Sequence, residues 1–195
     1  NFELYKAAGI PYARNHDASF YSAFGGEHTV DVHRIFKNFN ADENDPESYI
    51  FAPTDKYLKD ITNAGTKVFY RLGASIEHDF KYGTYPPASF EKWAKICEHI
   101  ISHYNEGWAE GFNYNIEYWE IWNEPDCKNA DGSNPCWQGT EEQFIEFYSV
   151  AAKYLKKRFP NIKIGGPAFM SPWRSDFQRN FLMAVKNNGI PLDFY

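Results

Sequence analysis

Residues 118–126 read YWEIWNEPD, an aromatic and aliphatic run that stops at Asn123, Glu124, Pro125 and Asp126. Tyr, Trp and Ile suit a buried strand, whereas an Asn followed by a Glu at its carboxyl end belongs to something that binds or reacts. Alternate residues of a strand face one side, so a strand persisting to its end gives Glu120, Trp122 and Glu124 a common direction. With Glu124 at the mouth of a barrel, Glu120 lies below it in the interior and needs a cationic or hydrogen-bonding partner. Arg14 and Arg71, each on a neighbouring strand, are the candidates.

Working outward, the chain alternates strands with amphipathic helices. Residues 2–8 form the tail of a helix stopped by Gly9, and IPYARN is a short strand. Residues 53–63 place Tyr57, Leu58 and Ile61 at helical spacing with Gly65 as the stop, and KVFYRLG (67–73) is the next strand. From Ser89 a long helix carries Phe90, Trp93, Ile96, Cys97, Ile100, Ile101 and Tyr104 in one apolar stripe. After the strand IEYWEIW, Thr140 and Gln143 have capping-box spacing and open a helix with Phe144, Phe147, Tyr148, Ala151 and Leu155 on its inner face. IKIGG is a strand. Ser175 or Asp176 caps a last helix with Phe177, Phe181, Leu182 and Val185 inward, Gly189 ends it, and LDFY starts a further strand.

Strands joined by helices, with connections too long for hairpins, call for parallel pairing and right-handed crossovers. An eight-stranded (β/α)8 TIM barrel and an open doubly wound sheet both satisfy this α/β pattern. The open sheet announces itself through a Gly-rich first turn, and neither GxGxxG nor GxxxxGK[ST] occurs. The polar residues at the strand ends favour the barrel, whose active sites lie there. A complete barrel takes about 250 residues. The expectation is therefore one partial barrel domain over residues 1–195, truncated at both ends. The remainder of the barrel would be needed to cover its exposed strand edges.

A formal net charge of -6 and a pI near 5.5 give no electrostatic reason for a nucleic-acid or anionic-membrane partner. No apolar run approaches the length of a membrane span and no targeting segment is visible, so a soluble chain of unknown compartment is expected. Of three cysteines, Cys97 falls on an apolar helix face, while Cys127 and Cys136 flank the loop KNADGSNP at a spacing that leaves a local disulfide open. His99 and His103 stand i, i+4 on a helix without a third ligand, so no metal and no cofactor are expected.

Glu124 sits between an amide and a proline beside the indoles of Trp119 and Trp122, surroundings that withdraw water and raise a carboxyl pKa. Such a group keeps a proton for a leaving oxygen. Asn123 beside it suits a sugar hydroxyl, because hydrogen bonds to the hydroxyl next to the reacting carbon strengthen in an oxocarbenium-like transition state. Trp137 and Trp173 fall on loops that would rim the site, where a ring face packs well on a pyranose. From these residues alone, Asn-Glu-Pro as a plain helix cap stays open. So do Trp137 and Trp173 as rings that only pack their own loops.

WNEP after a hydrophobic strand resembles the fourth-strand signature of a large clan of retaining barrel glycosidases. The ordered trio of Arg14-Asn-His16, then YWEIWNEPD, then IKIGGPA resembles glycoside hydrolase family 39, which includes β-xylosidases and α-L-iduronidases. The likeness runs from about Gly9 to Tyr195. It implies Glu124 as acid/base, Asn123 on the sugar 2-hydroxyl and His16 on the glycone. It also implies that these strands are the second to the start of the sixth, with the nucleophile Glu at the end of the seventh, outside this chain.

Glu77 in GASIEH is the other carboxylate whose strand-end position alone could make it a second acid, and His78 beside it is open both to a ligand contact and to a plain solvated loop position. The expected activity is a retaining β-xylosidase-like hydrolysis of an oligosaccharide or glycoside, with this fragment inactive alone. β-Glucosidase-like or iduronidase-like specificity and a non-catalytic carbohydrate-binding protein on the same barrel are the alternatives.

Overall fold

The computed structural model describes residues 2–16, 28–75, 82–170 and 175–195. Glu77, His78 and Trp173 lie outside the described residues. Four strands, β1 (Tyr12–Arg14), β2 (Lys67–Leu72), β3 (Tyr118–Ile121) and β4 (Lys163–Gly165), form one sheet in the order β1-β2-β3-β4. All three pairings are parallel, and a single parallel bridge from Gly165 to Phe194 adds the start of a fifth strand where LDFY was expected.

The helices are α1 (Phe2–Ala7), α2 (Val32–Ile35), α3 (Ala52–Asn63), α4 (Phe90–Asn105), α5 (Glu141–Arg158) and α6 (Asp176–Asn188). Their ends follow the local chemistry. Ser89 caps α4 by accepting from the Lys92 amide. Thr140 with Gln143 and Ser175 with Gln178 both complete capping boxes. Gly189 closes α6 in the left-handed conformation at φ 56°. The four-residue α2 is too short to carry a sequence period.

Register decides which face of the sheet is which. Val68, Tyr70, Leu72, Trp119, Ile121 and Ile164 point to the helices and are buried, with Tyr70 stacked on Trp119 at 4.8 Å. The opposite face is layered as a barrel interior is. At the amino-terminal end Tyr12, Phe69, Tyr118 and Phe194 meet ring to ring at centroid distances of 5.1–5.7 Å. Above them lies a charged layer of Arg14, Arg71 and Glu120.

The helix layer is fixed by α4 against α5, where Trp93 meets Phe147 at 4.6 Å and Arg158 pairs with Glu98 and Glu106. One expectation fails on α6. Phe181 is buried, but Leu182 is 40% exposed, because α6 packs on α5, with Phe181 against Phe144 and Tyr148, and its apolar stripe is wider than the surface it meets. Among the described residues no helix is long and apolar enough to cross a membrane.

Candidate active site

β3 stops at Ile121, and the next residues leave the strand conformation. Trp122 has φ 74° and Glu124 φ 46°, both left-handed, as is Ala168 after β4 at φ 52°. Three non-glycine residues in this region at two adjacent strand ends mark backbone held against its preference. The consequence corrects the alternation expected from the sequence. Trp122 turns into the helix layer, against Trp93, Trp137 and Phe147, with its indole N–H donated to the Cys136 carbonyl at 2.8 Å. Asn123, not Trp122, joins Glu120 on the interior side.

Arg14 ties these two together. Its Nε donates to Glu120 Oε2 at 2.7 Å and its Nη2 to Asn123 Oδ1 at 2.7 Å. Since Asn123 Oδ1 is taken, the amide orientation is set and Nδ2 is the free-facing donor. That Nδ2 is buried and without a partner among the described residues. Glu120 is 5% exposed. Burial raises its pKa, while the charge and hydrogen bond of Arg14 and the charge of Arg71 partly offset the rise.

Of the two candidate partners for Glu120, only Arg14 touches it. Arg71 instead pairs with Asp31 at 2.5 Å, both side chains fully buried. Arg71 also contacts Ser75 and donates to the His16 carbonyl at 3.1 Å. Asp31 accepts from the Ser75 amide at 3.0 Å and hydroxyl at 2.9 Å. Burial opposes the Asp31 charge, yet Arg71, His33 and the Ser75 amide together hold its pKa below the ordinary value. Sequence reading missed Asp31 and Ser75, because Asp31 meets Arg71 across 40 positions and Ser75 across 44 from a loop without periodicity.

His16 is half-buried at the end of β1, its carbonyl accepting from Arg71 and lying 2.7 Å from Ser75 Oγ, whose single hydroxyl proton it shares with Asp31. Glu124 is half-buried after β3. Its amide N–H is shared between the carbonyls of Pro167 at 3.2 Å and Ala168 at 3.1 Å. Asp126 Oδ1 accepts from the Met170 amide at 2.8 Å, so the loop after β3 is clasped to the loop after β4. The structure thus gathers Asn123, Glu124 and His16 at the carboxyl ends of the strands. Trp137 does not join them with a free ring face. It is 1% exposed, covered by Trp122, Phe144 and Phe147, and its Nε1 donates to the Thr140 carbonyl at 2.9 Å. His103 uses both ring nitrogens, on Trp108 O and Asp55 Oδ1, so the helical His pair is part of the packing.

A parallel sheet wrapped by helices, with its polar groups gathered where the strands end, is the arrangement of the (β/α)8 barrel glycosidases. The chain belongs to glycosyl hydrolases family 39, whose family model matches residues 24–195. It is 28% identical over 161 residues to a β-xylosidase of Caldicellulosiruptor saccharolyticus, covering 75% of this chain and 30% of that protein. A β-xylosidase of Geobacillus stearothermophilus is 25% identical over 174 residues, covering 82% and 30%. The crystal structure of a glucosidase from Croceicoccus marinus superposes with a TM-score of 0.79 at 26% identity, covering 99% of this chain and 38% of that one. The chain therefore spans less than half the length of each of these three proteins.

Proposed function

We propose that the intact protein is a retaining glycoside hydrolase that cleaves a β-linked sugar, β-xylosides first, with Glu124 as acid/base. Glu124 donates its proton to the glycosidic oxygen as the bond from that oxygen to the anomeric carbon breaks. A second carboxylate, a Glu from a later strand outside this chain, attacks the anomeric carbon from the opposite face. Glu124, now a carboxylate, then takes a proton from the water that releases the sugar. Retention requires the two carboxyl groups about 5 Å apart.

Asn123 Nδ2 donates to the sugar 2-hydroxyl and His16 contacts the glycone. Arg14 acts through Asn123 as a positioning residue. The observation that carries this reading is the doubly anchored Arg14, which holds Glu120 and Asn123 at once and leaves one amide donor beside Glu124 unsatisfied. An open donor of that kind at the strand ends suits a polar ligand rather than packing.

The similarity to a glucosidase over nearly the whole chain supports a second specificity, for β-glucosides. A panel of aryl β-xylosides, β-glucosides and α-L-iduronides separates the readings. Turnover greatest on the xyloside supports the first, turnover greatest on the glucoside the second. Binding of the sugars without hydrolysis of any of them makes the protein a carbohydrate binder on the same scaffold.

A further inference from the structure

Behind the strand-end acid three ligand-type atoms converge. One carboxylate oxygen of Glu124 and the Sγ atoms of Cys127 and Cys136 all lie within 4.8 Å of one another. No disulfide joins the two cysteines, and both are buried, 8% and 2% exposed. We propose that Glu124, Cys127 and Cys136 form a binding site for a thiophilic divalent cation of the zinc class, and that occupation takes the Glu124 carboxylate out of proton transfer.

The geometry fits such an ion. Zinc holds sulfur at about 2.3 Å and carboxylate oxygen at about 2.0–2.2 Å in a tetrahedron, which sets ligand atoms roughly 3.5–3.8 Å apart. The three atoms need approach one another by no more than roughly 1.0–1.3 Å to reach that spacing. The backbone that carries them is already fixed. The Cys127 amide donates to the Glu124 carbonyl at 3.0 Å, which closes the turn that brings the two side chains together. The Cys136 amide donates to Asn134 Oδ1 at 2.9 Å, its carbonyl accepts from Trp122 Nε1, and Asn134 Nδ2 donates to the Pro125 carbonyl at 2.6 Å. The intervening loop is tied by the Asn129 amide to the Ser133 carbonyl at 2.8 Å. A site whose supporting shell is formed in advance binds with little rearrangement.

Two thiolates with one carboxylate select a soft or borderline cation over magnesium or calcium. Binding releases the two thiol protons to solvent, so affinity rises with pH. The fourth position of the tetrahedron stays open to water. Cys97 offers no competing thiolate, since it is fully buried in α4 and burial pushes its pKa up.

Metal binding stands on these three residues alone, whereas its effect on turnover rests on the proposed acid/base role of Glu124. The test is a cadmium titration of the intact protein under a phosphine reductant, followed by the ultraviolet thiolate-to-cadmium absorption band. The expected result is about one cadmium per chain, with affinity at least ~10-fold weaker in Cys127→Ser and in Cys136→Ser. In Glu124→Gln the band persists with weaker affinity, which keeps the test decisive if the serine variants misfold. No band in the parent, or equal binding in both serine variants, overturns the site. So does a count of one free thiol instead of the three in the chain, taken before any reductant is added, because it assigns the pair to a disulfide. A second arm measures glycoside turnover. Cadmium should inhibit the parent and a chelator should restore it, and a bound ion without inhibition overturns the capture of Glu124 while leaving the site.

Discussion

The Arg14 guanidinium on β1 reaches past β2 to Asn123 at the end of β3, Nη2 to Oδ1 at 2.7 Å, while its Nε holds Glu120 at 2.7 Å. A planar fork makes both bonds at once, and a lysine ammonium cannot hold that geometry. Arg14→Lys should therefore lower kcat/KM on the preferred glycoside about 10-fold or more. Because the Arg14 side chain is 33% exposed, the charge survives in lysine and stability should change by less than about 1 kcal/mol. Steady-state kinetics alongside urea denaturation measure the two separately. A loss of stability that tracks the loss of rate would point to a purely structural role.

The pair of Asp31 and Arg71 is fully buried, and it holds the carbonyl of His16 through Arg71. Asp31→Ala leaves a buried guanidinium without its anion and should cost about 3–5 kcal/mol, read from the urea midpoint at constant slope.

Two buried carboxylates give opposite pH signatures. The folded pKa of Asp31 lies below its ordinary 3.8, so its contribution is fully present above 3.8 and is lost as pH falls through the depressed folded value. The folded pKa of Glu120 lies above its ordinary 4.5. Folding then takes up a proton in the window just above 4.5, and stability declines as pH rises through it. Denaturation midpoints measured across pH 3–7 should show Glu120→Gln abolishing the decline above about 4.5, and Asp31→Asn removing part of the acid loss.

Gly73 ends β2 at φ 121°, and a Cβ there would stand 2.8 Å from Trp122 Cε3 and 3.1 Å from Trp122 Cα. Gly73→Ala combines an unfavourable backbone with a clash against the residue that turns the chain at Glu124. It should cost about 2–3 kcal/mol, and the displaced Trp122 should alter the near-ultraviolet circular dichroism. Unchanged stability and dichroism would mean that the strand end is looser than its geometry implies.

Most of the fold was legible because its signals are local. The capping box of Thr140 with Gln143, the apolar stripe of α4 and the apolar runs of the strands each depend on a few neighbouring residues, and each element formed where its signal lay; of the two caps open for α6 the structure uses Ser175, with Gln178 completing a second box. The residues at the strand ends were legible for the same reason. What escaped was set by backbone state or by distance along the chain. The left-handed turns at Trp122 and Glu124 reverse the period-two alternation, and neither side chain announces them. Arg71 has Glu120 as its register partner on β3 but spends its hydrogen bonds on Asp31, Ser75 and the His16 carbonyl. Trp137 has the composition of a rim residue but finishes a cluster of aromatic side chains between α5 and the loop after β3. The convergence of Cys127 and Cys136 on Glu124 needs the closed loop and could not be read from spacing.

The most direct test of the central claim is the leaving-group dependence of hydrolysis in Glu124→Gln. An aryl β-xyloside with a poor leaving group needs protonation, and its turnover should fall by about 10²–10⁴-fold, while a substrate with an activated leaving group loses far less in the glycosylation step. Equal turnover of the poor substrate by parent and variant would contradict the assignment of Glu124 as the proton donor.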